Sequence, residues 1–203
     1  YSSAASDVYK RQVSNMPTVH PHHFPFELAK AIQAMGVLHS SHGAGRVGYY
    51  RLLKLLYIAN REYLMETGRP IVGGKNVAMD RGPLNSPIYS LIKGEHPDSP
   101  IWCEYFTKDK RHLYLNQNPG NDELSGREIK KLQAVSALLE ELDDDEVGEV
   151  THGFVEYRNN HTPGTSTPIE LDEVLVALGM EGQRERIRAD IDQIVAMKQL
   201  FGN

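Results

Sequence analysis

Apolar positions along the chain recur mostly at helical spacing, and they are densest between Arg46 and Thr67. There they cover more than one stripe of a helix, and a helix that is apolar around most of its circumference belongs in the middle of a core. Gly68 and Pro70 stop the helix, because glycine suits the position after the last turn and proline cannot continue it. The pattern therefore predicts a central core helix over residues 46–67.

Six other stretches have the same spacing and predict shorter helices. They cover residues 26–38, 83–94, 125–142, 147–157, 168–178 and 183–200. We place Pro83 at the first position of its helix, where proline is tolerated. The helix at Ser125 begins with a capping box, since Glu128 follows three residues later. In the last helix the spacing directs five apolar residues inward: Ile187, Ile191, Ile194, Val195 and Met197.

Short strands are predicted at two places. Val77 and Met79 alternate with small or polar neighbours, which is typical of a strand. Residues 106–107 and 112–115 flank a charged turn and predict a small hairpin. Strands and helices do not alternate in the βαβ manner, so a parallel nucleotide-binding sheet is disfavoured. The expected fold class is mainly α: a compact multi-helix domain with one or two short β-hairpins.

The length of 203 residues, with 40% hydrophobic and 24% charged residues, is typical of one globular domain. Residues 1–12 are small and polar and lack periodicity, and we expect residues 1–15 to be a non-native or disordered leader. The main helical domain is then expected over residues 16–179. Residues 180–203 are expected to form an amphipathic helix that packs on this domain.

Net charge and cysteine content restrict the expected cellular compartment and the expected classes of binding partner. The formal net charge of -5 gives no long-range attraction to phosphate backbones, so nucleic acid is disfavoured as a partner. No apolar run approaches the roughly 18 residues that span a bilayer, and no membrane contact is expected. Cys103 is the only cysteine, so no internal disulfide can form, which fits a reducing compartment. We expect a cytoplasmic protein.

Sequence motifs for catalysis are missing. The chain has neither a phosphate-binding GxxxxGK(S/T) motif nor the GxSxG of a nucleophilic serine. Gly43, Gly45 and Gly48 have the GxGxxG spacing, but they lie between two predicted helices, without the preceding strand of a nucleotide-binding fold, and a simple loop is the favoured interpretation. Cys103 lacks the neighbours of cysteine nucleophiles, and a small core residue is the favoured interpretation. His39 and His42 supply two ligands, fewer than a zinc site needs. Three further histidines cluster in a proline-rich lead-in: His20, His22 and His23. We interpret the histidines as solvated and predict no catalytic residue, metal or cofactor.

Two groups of charged residues leave alternatives open. Residues 140–146 are dense in carboxylates at the predicted end of a helix, where negative charge opposes the helix dipole. They are either a solvated connector, which we favour, or a contact for a basic partner. Arg51, Lys54 and Arg61 form a polar edge on the central helix. For this edge, solvent exposure or internal ion pairing is favoured over a direct function.

The stretch from Lys54 to Gly94 joins four short motifs. They are KLLY-x-A, a GRPI turn, A-M-x-x-G-P and IY-x-L-x-K-G. In this combination the chain resembles the Panacea domain of SocA-like antitoxins from bacterial and phage toxin–antitoxin pairs. The capping box at Ser125 and the segment with Thr151 and His152 extend the resemblance further along the chain.

The resemblance implies a non-enzymatic protein that neutralises a cognate toxin by direct complex formation. Family members can also act as adaptors that deliver a toxin to a protease. Seven residues are candidates for partner binding: Tyr57, Arg61, Arg69, Asp80, Arg81, Asn85 and Tyr89. Two alternatives stay open, namely a metal-dependent hydrolase that uses His39 and His42, and a DNA-binding autoregulator of a toxin–antitoxin operon. The identity of the toxin and the oligomeric state are left open.

Overall fold

The computed structural model describes residues 23–43 and 45–201. Within them the chain forms nine α-helices: α1 (Leu28–Ser40), α2 (Tyr49–Thr67), α3 (Ser86–Lys93), α4 (Ser99–Tyr105), α5 (Gly126–Leu138), α6 (Asp144–His152), α7 (Val155–Asn160), α8 (Leu171–Ala177) and α9 (Arg184–Phe201). The same residues form six short strands: β1 (Arg46–Gly48), β2 (Asn76–Met79), β3 (Gly82–Asn85), β4 (Phe106–Asp109), β5 (His112–Leu115) and β6 (Thr167–Ile169). The expected fold, mainly α with short β elements, is confirmed. The predicted leader (residues 1–15), His20 and His22 lie outside the described residues.

Helix α2 passes through the middle of the core, as its sequence pattern predicts. Five of its apolar side chains are fully buried: Leu52, Leu53, Leu55, Leu56 and Ala59. The helix packs against α1, α5, α6 and β3. Because full burial of one leucine side chain is worth roughly 1.5–3 kcal/mol, α2 supplies much of the hydrophobic stabilisation. It ends at Gly68, whose φ of 79° is the left-handed conformation expected after a helix.

The strands form two small antiparallel sheets. In the first, β5 lies between β1 and β4, and its β4–β5 hairpin confirms the predicted one. In the second, β2 lies between β3 and β6. The hairpin of β2 and β3 turns at Asp80 and Arg81, while β6 pairs Ile169 with Asn76 of β2. The second sheet therefore joins segments that are far apart in the chain.

Three segments that the spacing assigned to helices are strands. Arg46 belongs to β1, which pairs with β5, and α2 begins only after it. Pro83 lies in β3 rather than at a helix start, and Asn85 is the N-cap of α3. Pro168 lies in β6, so α8 starts later than predicted. Strands of three or four residues are too short to show a period. Pairing with distant segments defines β1 and β6, whereas β3 pairs with the neighbouring strand β2.

The acidic segment between α5 and α6 was placed at the wrong end of a helix. Asp143 is the N-cap of α6, and its Oδ1 accepts hydrogen bonds from the backbone N–H groups of Asp145 and Glu146 at 2.9 and 2.8 Å. Four of its carboxylates, those of residues 143–146, therefore lie at a helix N-terminus, where negative charge is favourable. Glu140 and Glu141 follow the C-terminus of α5, as expected. The capping box predicted at Ser125 is present, with both of its hydrogen bonds formed. The predicted helix 147–157 is instead two helices, α6 and α7.

Burial on the surface helices differs from the expectation at two positions. Ile187 and Ile191 of α9 are buried in a second apolar cluster together with Leu64 of α2. Met197 of the same helix was expected to point inward but is 50% exposed. Cys103, for which a core position was favoured, is also exposed. In the part of the chain that is described, no helix is both long and apolar enough to cross a bilayer.

Candidate functional site

Three distant segments converge on the space above Gly82, in the hairpin of β2 and β3. A Cβ atom placed on this glycine would lie 2.6 Å from Thr151 Oγ1, 3.1 Å from Lys54 Nζ and 3.2 Å from His152 Cδ2. Gly82 has a φ of 95°, which side chains rarely tolerate. Lys54 comes from α2, while Thr151 and His152 come from the end of α6. The glycine thus leaves room for polar side chains that two helices bring to one point.

A cleft of about 520 Å³ opens beside this point, and we call it the Gly82 cleft. Its lining includes Tyr50, Lys54, Arg81, Arg111, Asp144 and His152. Gly48 brings the start of α2 close to α6, because a Cβ atom there would lie 2.2 Å from Asp144 Oδ2. Two glycines therefore shape the packing around the cleft.

Lys54 is buried in an unusual way. The residue is only 2% exposed, and its Nζ donates one hydrogen bond, of 2.7 Å, to the carbonyl oxygen of Pro83. The ion pairs found among the described residues do not include it. Burial lowers the pKa of Lys54 to about 7, because the charged form loses its hydration. The ammonium retains donors that the protein does not satisfy.

Helix α6 sets the positions of Thr151 and His152. Thr151 is fully buried, and its hydroxyl donates to the carbonyl oxygen of Gly148 at 2.7 Å. The His152 ring stacks on Tyr157 with centroids 4.9 Å apart, and its Nδ1 lies 3.3 Å from Glu149 Oε1. His152 Nε2 is buried and makes no hydrogen bond to the described residues. The cleft thus contains a ring nitrogen that has no hydrogen-bond partner among the described residues.

The rim of the Gly82 cleft carries both signs of charge. Arg81 and Arg111 contribute positive charge, whereas Asp144, Asp145 and Glu149 contribute carboxylates along the first turns of α6. Asp144 is partly balanced by Arg51, whose Nη1 lies 3.6 Å from Asp144 Oδ1. The carboxylate side of the rim therefore faces a cationic side across the opening.

A cluster of aromatic and cationic side chains lies next to the cleft. It consists of Tyr49, Tyr50, Tyr89, Arg81, Lys93 and Lys108, and we call it the tyrosine patch. The guanidinium of Arg81 lies 4.9 Å from the ring centroid of Tyr50, in a cation–π arrangement. The hydroxyls of Tyr50 and Tyr89 are 3.5 Å apart. Burial, and then the contact with Tyr50, raise the pKa of Tyr89 to about 12.

Three of the seven sequence candidates lie at the cleft or the patch, namely Asp80, Arg81 and Tyr89. Asp80 Oδ1 accepts a hydrogen bond from the backbone N–H of Gly164 at 2.9 Å and lies 3.1 Å from His161 Nε2. These contacts, the backbone N–H first, lower the pKa of Asp80. They also anchor the turn that presents Arg81.

Two other candidates, Tyr57 and Arg61, form a cluster of their own with Glu156. Glu156 is fully buried, and its Oε1 accepts hydrogen bonds from Arg61 Nε at 2.8 Å and from the Tyr57 hydroxyl at 3.2 Å. Arg61 also lies over the ring of Phe154, 4.4 Å from its centroid. Burial raises the pKa of Tyr57 well above its ordinary value. This internal ion pair agrees with the interpretation favoured for the polar edge of α2.

The last two candidates lie apart from both groups. Asn85 is buried, accepts a hydrogen bond from the backbone of Ile88 and donates one to Gly73. Arg69 is exposed and pairs with Asp190 of α9 at 3.3 Å. The structure therefore does not gather the seven residues into one site, and their contact with a partner stays a prediction.

Four residues of the site were missing from the sequence candidates: Tyr50, Lys54, Thr151 and His152. A usable signal existed, since Lys54, the glycine before Pro83 and the Thr151–His152 pair each belong to a segment that carried the family resemblance. The spacing alone could not show that these segments meet.

His39 and His42, which were considered as metal ligands, each contact a different polar group. His39 is buried and its Nε2 lies 3.1 Å from the carbonyl oxygen of Leu113, so the expectation that it is solvated was wrong. His42 Nε2 lies 3.2 Å from Ser136 Oγ. In residues 23–43 and 45–201, no three or more His, Cys, Asp or Glu side chains are grouped to hold a metal ion.

Comparison with known proteins identifies the class of domain as that of an antitoxin. The family model described as "Antitoxin SocA-like, Panacea domain" matches residues 52–156, which is just over half of the chain. The chain therefore belongs to the SocA-like antitoxins with a Panacea domain, as its motifs indicated. Lys54, Gly82, Thr151 and His152 all lie within the matched segment. No curated protein and no solved structure is significantly similar to the chain.

Membership supports an antitoxin-type role, and the family suggests a toxin as the type of partner.

Proposed function

We propose that this protein neutralises a cognate toxin by forming a direct complex with it in the cytoplasm. The observation that carries the proposal is that the matched antitoxin domain, residues 52–156, contains most of the lining of the Gly82 cleft and four residues of the tyrosine patch, namely Arg81, Tyr89, Lys93 and Lys108. The toxin would be inhibited because the complex covers part of its surface. The antitoxin would make or break no covalent bond in the toxin.

The composition of the tyrosine patch supports its use as an interface. Tyrosine and arginine are enriched among the residues that dominate binding energies. Tyrosine buries a large area with few rotatable bonds, and arginine offers a planar group with five hydrogen-bond donors. Arg81 is exposed, while Tyr50 and Tyr89 are half-buried and held by each other. A surface that is already ordered loses little conformational entropy when a partner binds.

The turn between β2 and β3 supports the same conclusion. Asp80 is tied to His161 and to the backbone of Gly164, so the neighbouring Arg81 is presented from a fixed hairpin. We assign direct contact to Arg81 and Tyr89. Tyr57 and Asn85 are buried, and they would act by holding α2 and α3 in place.

The test is co-expression with the product of the adjacent gene in a host whose growth that product arrests. We expect growth to be restored and a stoichiometric complex to co-purify. Arg81→Glu should weaken the complex, whereas Lys130→Glu should not, because Lys130 is exposed on α5 and does not line the cleft. A toxin that remains active and unbound beside a folded antitoxin would contradict the proposal.

A protease-adaptor role is a variant of this proposal, in which the same complex delivers the toxin for degradation. Repeating the rescue in hosts that lack individual cytoplasmic proteases separates the two mechanisms. Rescue in every such host indicates direct neutralisation. Loss of rescue in one of them, with the complex still formed, indicates delivery to that protease.

A further inference from the structure

We propose that the Gly82 cleft receives a carboxylate side chain of the partner, that Lys54 Nζ binds this carboxylate, and that basic residues flank it in the partner. The inference rests on the proposed function, because it names the chemistry by which a toxin would be recognised. It concerns Lys54, which was not among the predicted partner-binding residues.

The first support is the difference between Lys54 and the other basic residues on α2. Arg51 and Arg61 each lie within 4.0 Å of a carboxylate, of Asp144 and Glu156 respectively. Lys54 is more deeply buried than either, yet the one hydrogen bond that its Nζ makes to the described residues is to the carbonyl oxygen of Pro83. Buried charges are normally paired, because an unpaired one is costly. A carboxylate from outside would complete this site.

The second support is the shape of the site. Lys54 Nζ, Thr151 Oγ1 and the His152 ring all lie within 3.2 Å of the position that a Cβ atom would occupy on Gly82. Glycine at this position lets the three groups pack directly against the hairpin, where any larger residue would clash. Lys54 and His152 also line the adjoining cleft, which is large enough for a side chain. His152 Nε2, which has no partner among the described residues, can donate to the ligand when it carries a proton.

The third support is the charge of the rim, which selects how the carboxylate is presented. The lining contains five carboxylates against three basic side chains, Lys54, Arg81 and Arg111, so its net charge is negative and would repel a free anion as it approached. The carboxylates of α6 among them are Asp144, Asp145 and Glu149. They would attract lysine or arginine residues next to the carboxylate in a partner segment. The cleft is therefore complementary to an acidic side chain on a basic segment rather than to a small free acid.

The titration of Lys54 is consistent with this site. Burial lowers the pKa of its ammonium to about 7. The charged groups that line the same cleft are Asp80, Arg81, Arg111, Asp143, Asp144, Asp145 and Glu149. A bound carboxylate favours the ammonium form, so binding should be accompanied by uptake of protons near neutral pH.

The test uses the isolated full chain and capped peptides of sequence KKEKK and KKQKK, with acetate as a free carboxylate. NMR of protein labelled with ¹³C at the lysine ε-carbons follows the Lys54 resonance during titration at pH 7.5. We expect KKEKK to shift this resonance and to bind at least about tenfold more tightly than KKQKK, because a charged hydrogen bond of ordinary strength is lost with glutamine. We also expect KKEKK to bind more tightly than acetate.

Variants locate the contact. Lys54→Met should weaken KKEKK binding about tenfold, whereas Lys130→Met should leave it unchanged. Equal binding of KKEKK and KKQKK by the wild-type protein would overturn the inference without any variant having to fold. Binding of acetate as tight as that of KKEKK would overturn the role of the acidic rim.

The two proposals can fail separately. If KKEKK binds at Lys54 but no toxin is neutralised, the carboxylate site stands and the antitoxin function fails. If the toxin is neutralised equally by wild type and Lys54→Met, and the peptides are not distinguished, the function stands and the carboxylate site fails.

Discussion

Two buried polar groups on neighbouring turns of α2 differ in one respect. Around Arg61, Glu156 Oε1 accepts hydrogen bonds from Arg61 and from the hydroxyl of Tyr57, and we call these three residues the closed group. Glu156 Oε2 is buried as well and makes no hydrogen bond to the described residues. Lys54 Nζ donates one hydrogen bond, to a carbonyl oxygen, pairs with no carboxylate of the described residues, and borders a cleft. The first arrangement stabilises the fold, whereas the second is left ready for a ligand at a cost in stability.

This comparison shows why a list of motif residues does not delimit a site. Tyr57 and Lys54 belong to the same KLLY-x-A motif, and both are almost fully buried. Their roles differ because Glu156 meets one of them and no carboxylate meets the other. The following substitutions test this contrast, beginning with the largest expected effect.

Removal of the Glu156 carboxylate should break the closed group. Glu156→Ala leaves Arg61 and the Tyr57 hydroxyl without their shared acceptor, and breaking a buried pair typically costs 3–5 kcal/mol. We expect a loss of about 3 kcal/mol in the free energy of unfolding, at the low end because Arg61 is partly exposed. Urea unfolding measures it. Glu149→Ala, at an exposed position, is the matched control, and equal effects of the two substitutions would contradict the contrast.

Removal of the Lys54 charge should stabilise the protein, whereas removal of the Glu156 carboxylate should destabilise it. At pH 6, Lys54→Met should raise the free energy of unfolding by about 2 kcal/mol, since an unpaired buried charge is replaced by an apolar group of similar size. In the folded protein the pKa of Lys54 is about 7, below its ordinary value of 10.5. Between pH 7 and pH 10.5 Lys54 is therefore protonated to a greater extent in the unfolded chain than in the folded protein.

Stability of the wild type should therefore rise with pH through this window, by at most about 1.4 kcal/mol per pH unit. Lys54→Met should lack this rise, and its advantage should shrink between pH 7 and pH 9. Denaturant unfolding at several pH values measures both effects. Parallel pH profiles for the two proteins would show that Lys54 is not the group that titrates.

The helix that carries Thr151 and His152 can be loosened from its other end. Asp143→Ala removes the N-cap of α6, and we expect a loss of about 1 kcal/mol. Hydrogen exchange should become faster in α6. Glu141→Ala, an exposed carboxylate in the preceding connection, should change neither quantity. If Asp143→Ala has no effect, the cap does not stabilise this side of the cleft.

The smallest effect on stability is expected at the surface. Arg81→Ala removes only an exposed cation–π contact with Tyr50, so the free energy of unfolding should change by less than about 0.5 kcal/mol. The same substitution should weaken the toxin complex. Thermal unfolding and a pull-down with the toxin measure the two effects. A large loss of stability would show that Arg81 stabilises the fold, as Arg61 does, and would contradict its assignment to the interface.

The parts of the fold that sequence predicted correctly depend on interactions between near neighbours. The core helix around Leu55, its stop at Gly68 and the capping box at Ser125 are set within a few residues of the chain. The hairpin of β4 and β5 is also local. The strands at Arg46 and Pro168 were missed because each pairs with a segment far away in the chain.

The site was predicted only in part, for the same reason. Arg81 and Tyr89 were named as candidates because they lie in a recognisable family motif. His152 was not named as a candidate, because its place in the site depends on packing that brings it and Lys54 close to Gly82. Likewise, the acidic stretch was assigned to the wrong helix end, because the sequence does not show where α5 stops and Asp143 begins to cap α6.

By itself, the sequence determined the mainly α fold, the central helix and membership of the antitoxin family, because these follow from local periodicity and from motifs within single segments. Only the tertiary structure decided which buried basic residue is paired. Glu156 reaches Arg61, whereas no carboxylate among the described residues pairs with Lys54. A charge inside a protein acquires its role from the groups that packing brings within a few ångströms of it, and that packing joins distant segments of the chain.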